Sequence, residues 1–413
     1  FAVTGGFSEW AARLPAALSA IGLCVLVAWL ALRQWGPLAG LLAGLVQASC
    51  VWAFIQGRLG EIDMPFALLI AGAHVPLLLH WGTGRLDLPW RFAVVFYALA
   101  GLAVLAKGLL VVGLLGASVL AFCALQRSLR PLRAVLLTPA VLVFAAIAVP
   151  WHVAAIQVTG GEALREWSYN SLWRFAGRHH LGAASPVYYF YMVPFLMLPW
   201  AVWLLIDARR LWQAARQPEN HATRVLWAWF LGGFTLLSLS AFKHQHYIMP
   251  VLPPLAVQAG EVLAVHVAQL GRRARHLYVP LFAGLLVAFL IVGGIVMPQR
   301  DHRRPMVEYV RGTVATLPAD TPLYVVGLAQ SAAYPYVNRP SIYIDSIEDV
   351  LATLDKLGDE PMWVLTLQTH RDVAAEHGLT LADERPEPPR KKLKEGEGLT
   401  FGRIVRTAPT TQP

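Results

Sequence analysis

A bundle of membrane-spanning helices followed by a small α/β domain is the fold class this sequence predicts, on three observations. Mean hydropathy is +0.51 and only 14% of the 413 residues are charged, whereas about a quarter of a soluble globule's residues are charged. Apolar runs of about 17–23 residues recur along the first three quarters of the chain, the length that crosses a hydrocarbon core as helix. After Met297 the pattern changes, and acidic residues and alternating strand-like segments take over. The expected fold is an all-α polytopic membrane protein with a small C-terminal α/β extracytoplasmic domain, divided as 1–297 and 298–413.

Ten spans are expected, at 14–32, 37–55, 64–81, 91–106, 108–125, 134–151, 187–206, 225–242, 247–269 and 277–297. The run from 91 to 125 is too long for one span and contains a lysine, Lys107. An ammonium at the centre of a bilayer costs roughly 2.5–3.5 kcal/mol on insertion scales. Splitting the run at Lys107-Gly108 avoids that cost by placing the lysine in a turn between two short helices. Glycine suits the turn because it reaches left-handed backbone angles without a steric penalty. Cys24, Cys50 and Cys123 all lie inside apolar runs, so no disulfide framework is indicated. The chain opens at Phe1 in "FAVTGGFSEWAARLP", which has no basic segment ahead of an apolar one and is not a signal peptide. Further residues are expected upstream.

Arginines set the expected orientation. One set of alternate connections holds Arg33; Arg85 and Arg91; Arg127, Arg130 and Arg133; Arg209, Arg210, Arg216 and Arg224; Arg272, Arg273 and Arg275. The other holds Arg13, Arg58, Lys107, Arg165, Arg174, Arg178 and Lys243. The first set is about twice as rich and faces the cytoplasm by the positive-inside rule. That puts the turns at 56–63, 107 and 243–246, the loop 152–186 and everything after 297 outside. The net charge of +9 is accounted for by arginines anchoring helix ends. No basic block coincides with a nucleic-acid module, so no nucleic acid partner is expected.

In the last quarter, "PLYVVG" (322–327), "SIYI" (341–344) and "MWVLTL" (362–367) read as strands. "SIEDVLATLDKLG" reads as a helix capped by Ser346, with Asp349 three residues on, and stopped at Gly358. A charged loop, "RPEPPRKKLKEGEG", precedes a last strand near "FGRIVRT".

The candidate chemistry gathers on the expected outer side. Lys107 and Lys243 are the two lysines before residue 300, and a compact ammonium is a good point-charge partner for a phosphate, although any lysine can also snorkel at a helix end. "GRLGEIDMPFAL" puts Arg58, Glu61 and Asp63 at the start of the third span. Its acids are candidates for deprotonating an acceptor; helix capping by Asp63 and an Arg58–Glu61 ion pair are the plainer accounts. Trp167, Tyr169, Trp173 and Phe175 accompany Arg165, Arg174 and Arg178 in a stretch suited to a helix lying in the interface. An arginine there can pair a lipid phosphate bidentately. In "SLSAFKHQHYIMPVLPPLA" (238–256), Lys243 precedes Tyr247, whose phenol could donate to a phosphate or sit in the aromatic belt, and Pro250, Pro253 and Pro254 follow. His152, His179, His180, His244 and His246 do not form a four-ligand metal spacing, and no P-loop or GxSxG elbow occurs. Cations, a few acids and aromatics at headgroup depth meet the requirements for holding a lipid-linked phosphate while a sugar is transferred from it.

In order and spacing, "FSEWAARLPAAL", "RLGEIDMPFAL", "GLAVLAKG", "PWHVAAI", "NSLWRF", "SPVYYFYMVPFLMLPW" and "SLSAFKHQHYIMPVLPPLA" cover residues 7 to 256. The set resembles the polytopic glycosyltransferases that use polyprenyl-phosphate sugars, of GT-C fold: the bacterial relatives of dolichyl-phosphate-mannose protein mannosyltransferases, with the lipid A aminoarabinose transferases among them. The resemblance implies a sugar transferase, inverting in type, working on the extracytoplasmic side of the inner membrane. Its donor would be a polyprenyl-phosphate-linked sugar and its acceptor a lipid, an envelope glycan or a protein. It implies that Arg174 and Tyr247 contact the donor phosphate, that Lys107 lines the same cavity, and that Asp63 matches a recurrent acidic position. The family's principal catalytic carboxylate would fall upstream of Phe1. Where aminoarabinose transferases place a metal-binding histidine, three residues before the loop arginine, this chain has Ser171, with Asn170 beside it. No cofactor is assigned, and a divalent metal stays open. A transporter or flippase of a lipid-linked sugar, or an assembly scaffold, are the other function classes, but the paired symmetric halves a transporter would show are not evident.

Overall fold

Within a bilayer, backbone N–H and C=O groups must be satisfied inside the chain, which makes long apolar runs helical. The computed structural model describes residues 9–169, 173, 175–176, 185–217, 219–299, 304–318, 320–327, 337, 341–344, 346–387 and 398–406. All ten expected runs become helix. They do so as α1 (Glu9–Trp35), α2 (Pro37–Ser49), α3 (Val51–Gln56), α4 (Asp63–Trp81), α5 (Trp90–Lys107), α6 (Leu110–Gln126), α7 (Arg130–Leu136) and α8 (Val141–Val158). After α9 (Glu162–Ser168) come α10 (Tyr188–Leu196), α11 (Ala201–Ile206), α12 (Ala208–Arg216), α13 (His221–Leu239), a 3₁₀ helix (Gln245–Val251), α14 (Pro253–Leu270) and α15 (Arg273–Ile291).

Among the described residues, α1, α4, α5, α8, α13 and α15 with the π turn after it (Val292–Val296) are each long and apolar enough to cross a membrane. The 3₁₀ helix and α14, bent by 61°, make a seventh crossing if they act as one span. By length and composition six or seven described helices thus qualify, with α2 and α6 as shorter apolar helices beside them, and prolines explain why several of the ten expected runs are broken. The run expected at 134–151 is interrupted at Thr138-Pro139, because proline has no N–H and disfavours helix in the residue before it; the long helix starts at Val141 instead. The 187–206 run is split between α10 and α11 around Pro199, and 37–55 is split at Cys50, whose backbone is extended. The helix expected at 108–125 is present as the 17-residue α6.

Small residues let the helices approach. A Cβ on Gly232 of α13 would stand 2.4 Å from the Ala117 carbonyl oxygen of α6, and one on Gly260 of α14 would stand 2.6 Å from the Ala39 carbonyl oxygen of α2. Such contacts pack backbone on backbone, which is how helices associate without a hydrophobic driving force. Large rings fill the remaining space, with Trp81 stacked on Phe122 and His74 stacked on Trp229. The larger compact unit of the chain runs from Ala12 to Phe289, and the smaller includes Leu290–Pro413.

After α16 (Met297–Gln299), the smaller unit contains α17 (Arg304–Val314), β1 (Leu323–Val326), β2 (Ser341–Ile344), α18 (Ile347–Leu357), β3 (Met362–Leu367), α19 (His370–Glu376), β4 (Leu379–Pro386) and β5 (Leu399–Arg406). Their order in the sheet is β2-β1-β3-β5-β4, with β1 parallel to both β2 and β3, and β5 antiparallel to β3 and β4. Met306, Val310 and Val314 of α17 pack with Leu323, Val325, Leu365 and Phe401 on one face. On the other, Val350 of α18 and Ala374 of α19 pack with Tyr324, Val364 and Leu379. The expected cap is present: Ser346 Oγ accepts from the Asp349 N–H at 3.1 Å, and Gly358 takes φ +60° after the helix. Of the five strands, β4 carried no strand signal in the sequence reading.

Gly232→Val should separate α13 from α6 and cost about 1–3 kcal/mol, read as a lower unfolding midpoint in detergent. Gly116→Ala, with nothing within 4 Å of the added carbon, should leave the midpoint unchanged or slightly raised.

Candidate active site

The turn between α5 and α6 places the first candidate. Lys107 is the last residue of α5, and Gly108 follows at φ +65°, ψ −151°, a conformation closed to side chains with a Cβ. A cation at a helix C-terminus faces the negative end of the helix dipole. Asp63 is the first residue of α4, at the positive end of its own helix. The two meet as an ion pair, Lys107 Nζ donating to Asp63 Oδ1. The Asp63 side chain is 9% exposed and that of Lys107 19%, so the pair is mostly withdrawn from solvent. At that burial each charge depends on the other to offset its desolvation.

Aromatic faces complete the surroundings of the ammonium. Lys107 Nζ lies 5.5 Å from the centre of the Phe66 ring and 5.1 Å from that of Tyr247, both within cation–π range. Phe66 is one helical turn beyond Asp63 on α4, while Tyr247 comes from the 3₁₀ helix. His246 packs edge-on to Tyr247 at 4.7 Å and stacks on His244 at 5.2 Å. The turn that carries them is anchored from α10, whose buried Tyr189 donates its phenol to the His244 carbonyl at 2.9 Å. It is also anchored by the Ala241 N–H, which donates to the Phe175 carbonyl at 3.0 Å.

Of the residues named from sequence, the structure thus brings Asp63, Lys107 and Tyr247 together. Lys243 is buried four residues before Tyr247 and donates to the Ser240 carbonyl of its own turn. Burial pushes its ammonium pKa below the ordinary lysine value. Arg58 and Glu61 are exposed on the connection ahead of α4, with the Arg58 guanidinium 5.4 Å from the Phe54 ring centre. Arg174, Arg178, His179, His180, Asn170 and Ser171 lie outside the described residues. In the neighbouring stretch, Trp167 of α9 packs on His152 at 4.6 Å and on Trp151 at 5.6 Å. Phe66 and Tyr189 are not singled out by the sequence, since one more ring in an apolar or aromatic run gives no signal of its own, and His246 is weighed there only as a metal ligand. Among the described residues no three His, Cys, Asp or Glu side chains assemble as a metal site.

The opposite ends of these helices also meet. Gln126 at the end of α6 accepts from Arg224 Nη1 at 2.6 Å, and Arg224 also donates to the carbonyls of Ala215 and Gln217. Arg210 of α12 makes a bidentate pair with Glu261 of α14, both contacts at 2.8 Å. The arginine-rich connections thus interlock with one another, and the lysine-bearing ones gather apart from them.

No protein-family model matches the sequence. The chain is 29% identical over 285 residues to undecaprenyl phosphate-α-4-amino-4-deoxy-L-arabinose arabinosyl transferase 2 of Sodalis glossinidius, covering 65% of this chain and 48% of that protein. It is 30% identical over 269 residues to the enzyme of the same name from Pseudomonas fluorescens, covering 62% and 44%. The chain spans about half the length of the curated relatives it matches. Its structure resembles that of ArnT from Cupriavidus metallidurans bound to undecaprenyl phosphate, with a TM-score of 0.71 at 18% identity over 95% of this chain and 84% of that one. The resemblance carried by the motifs and the likeness of the structures agree: this is a multi-pass membrane protein of GT-C fold, similar in sequence to the polyprenyl-phosphate-sugar-dependent glycosyltransferases.

Proposed function

We propose that the chain belongs to an integral-membrane glycosyltransferase that moves a sugar from a polyprenyl-phosphate donor to a lipid, envelope-glycan or protein acceptor. The single observation that carries this reading is the Asp63–Lys107 pair set between Phe66 and Tyr247. It places a cation, a carboxylate and a phenol where three separate helical segments meet. Breaking the bond between a sugar and a phosphate leaves negative charge on the departing phosphate, and preorganised cations lower the barrier by meeting that charge. Lys107 can donate three hydrogen bonds, and Tyr247 can add a phenolic donor. Asp63 can accept a proton from an acceptor hydroxyl or hold Lys107 in place. Arg174 would contribute a bidentate grip on the phosphate, and Arg58 and Lys243 would add positive potential. Glu61 is the second candidate base. The undecaprenyl phosphate bound to ArnT from Cupriavidus metallidurans, a polyprenyl phosphate without its sugar, supports the carrier class of the donor. The arginine distribution supports an inner-membrane orientation with this site and the C-terminal domain outside. We assign the domains as 1–297 for transfer and 298–413 for the extracytoplasmic unit.

Tyr247→Phe and Arg174→Ala should each lower transfer from a polyprenyl-phosphate sugar by about a hundredfold or more, with insertion and unfolding midpoint preserved. Transfer at the wild-type rate by both variants would remove these residues from the site. Asp63→Asn or Lys107→Met alone should strand a buried charge and cost about 3–5 kcal/mol of stability. The double variant should recover most of that stability and none of the transfer activity. Recovery of transfer along with stability would show that the pair is only a structural clasp.

A further inference from the structure

The smaller unit contains a cleft of about 270 Å³ between α18 and α19, floored by the sheet face that these helices cover. Its apolar walls come from Val326, Val350, Val364, Ala374, Leu381 and Ile404. One end opens beside the carboxyl ends of β1 and β3, where Thr366 and His370 line it. Strand β1 is flanked by parallel β2 and β3, with chain-order neighbours leaving it in opposite directions. Crevices at the carboxyl ends of strands at such a switch point are where open α/β sheets bind ligands.

The polar groups there are ordered by a short relay. Thr366 Oγ1 donates its single hydrogen to the Val326 carbonyl at 3.1 Å. The 2.7 Å contact between Thr366 Oγ1 and His370 Nδ1 therefore has the ring as donor. The imidazole is held as the Nδ1–H tautomer, leaving Nε2 as an acceptor. Burial lowers the His370 pKa and keeps the ring neutral. Gly327, at φ +63°, clears space for the ring, since a Cβ there would lie 2.4 Å from His370 Cε1. Among the described residues, none that lines the cleft carries a fixed charge.

We propose that this cleft binds a small uncharged amphiphile, an aliphatic body carrying one hydroxyl, with the hydroxyl donating to His370 Nε2 and the body lying between α18 and α19. The site lies within the smaller unit and does not depend on the transferase reading. A photoreactive diazirine analogue of 1-octanol, applied to the full chain in lipid nanodiscs, tests it by mapping labelled peptides. Label is expected on 324–327, 347–350 and 373–374, displaced by excess 1-octanol and not by octanoate, since a neutral ring and an uncharged lining offer nothing to a carboxylate. His370→Leu should weaken displacement by about tenfold, and Ala374→Phe should remove the label by filling the cleft. Label on the lipid-facing helices α8 and α15 serves as the internal control and should be the same in every variant. The proposal is overturned if wild-type label at those three segments is absent or is not displaced by 1-octanol. Equal displacement by octanoate overturns it as well, and neither result depends on the variants folding.

Discussion

An ammonium withdrawn from water must be matched by an anion, and in this molecule that requirement is met by one carboxylate across a helix hairpin. Lys107 ends α5 and Asp63 begins α4. The helices they terminate favour a positive and a negative charge at those respective ends. The pair therefore closes the open end of the α4–α5 hairpin, opposite the connection at 82–89. Its stability comes from three sources acting in the same direction: the two helix dipoles, the mutual attraction, and the ring faces of Phe66 and Tyr247.

The bent segment after α13 depends on the same arrangement. Prolines 250, 253 and 254 prevent a continuous helix from Gln245 to Leu270, and the 61° bend lets the 3₁₀ turn lie against α4 while α14 continues beside α2. The carbonyl of Pro250 does not stay orphaned, because the buried Trp229 indole donates to it at 3.0 Å. A polar turn can thus sit next to the ion pair without leaving backbone groups unsatisfied. The rim around the pair is held by two long-range hydrogen bonds, one from the Tyr189 phenol to the His244 carbonyl and one from the Ala241 N–H to the Phe175 carbonyl.

Local chemistry is what the sequence made legible. Hydropathy located each helical run, Lys107-Gly108 marked a turn, and Ser346 with Gly358 bracketed α18 to the residue. Continuity was less readable: an apolar run contains no periodic sign of a break, so the interruptions at Pro139, Pro199 and Cys50 were absorbed into single expected spans. Tertiary partnership was the least readable. Asp63 and Lys107 are named separately, as a candidate base that could also cap its helix and a candidate phosphate partner that could also snorkel, because 44 residues separate them and no spacing rule links them. Phe66 and His246 reached the cluster only through folding, and β4, with charges at Asp383, Glu384 and Arg385, lacked the apolar alternation that marks a strand.

On the proposed reading, the internal pair also explains how a cationic site can persist in the membrane between turnovers. Without a resident anion, Lys107 would bear its desolvation alone. With Asp63 in place the pair itself carries no net charge, and an incoming phosphate competes for an ammonium already positioned and dehydrated. A phosphate brings more than one acceptor oxygen, so it can share the ammonium without displacing the carboxylate entirely. The carboxylate is then released from part of its ion pair and can turn to an acceptor hydroxyl. Binding the donor and readying the base would follow from one electrostatic event, which is why a buried pair, rather than a lone lysine, suits this position.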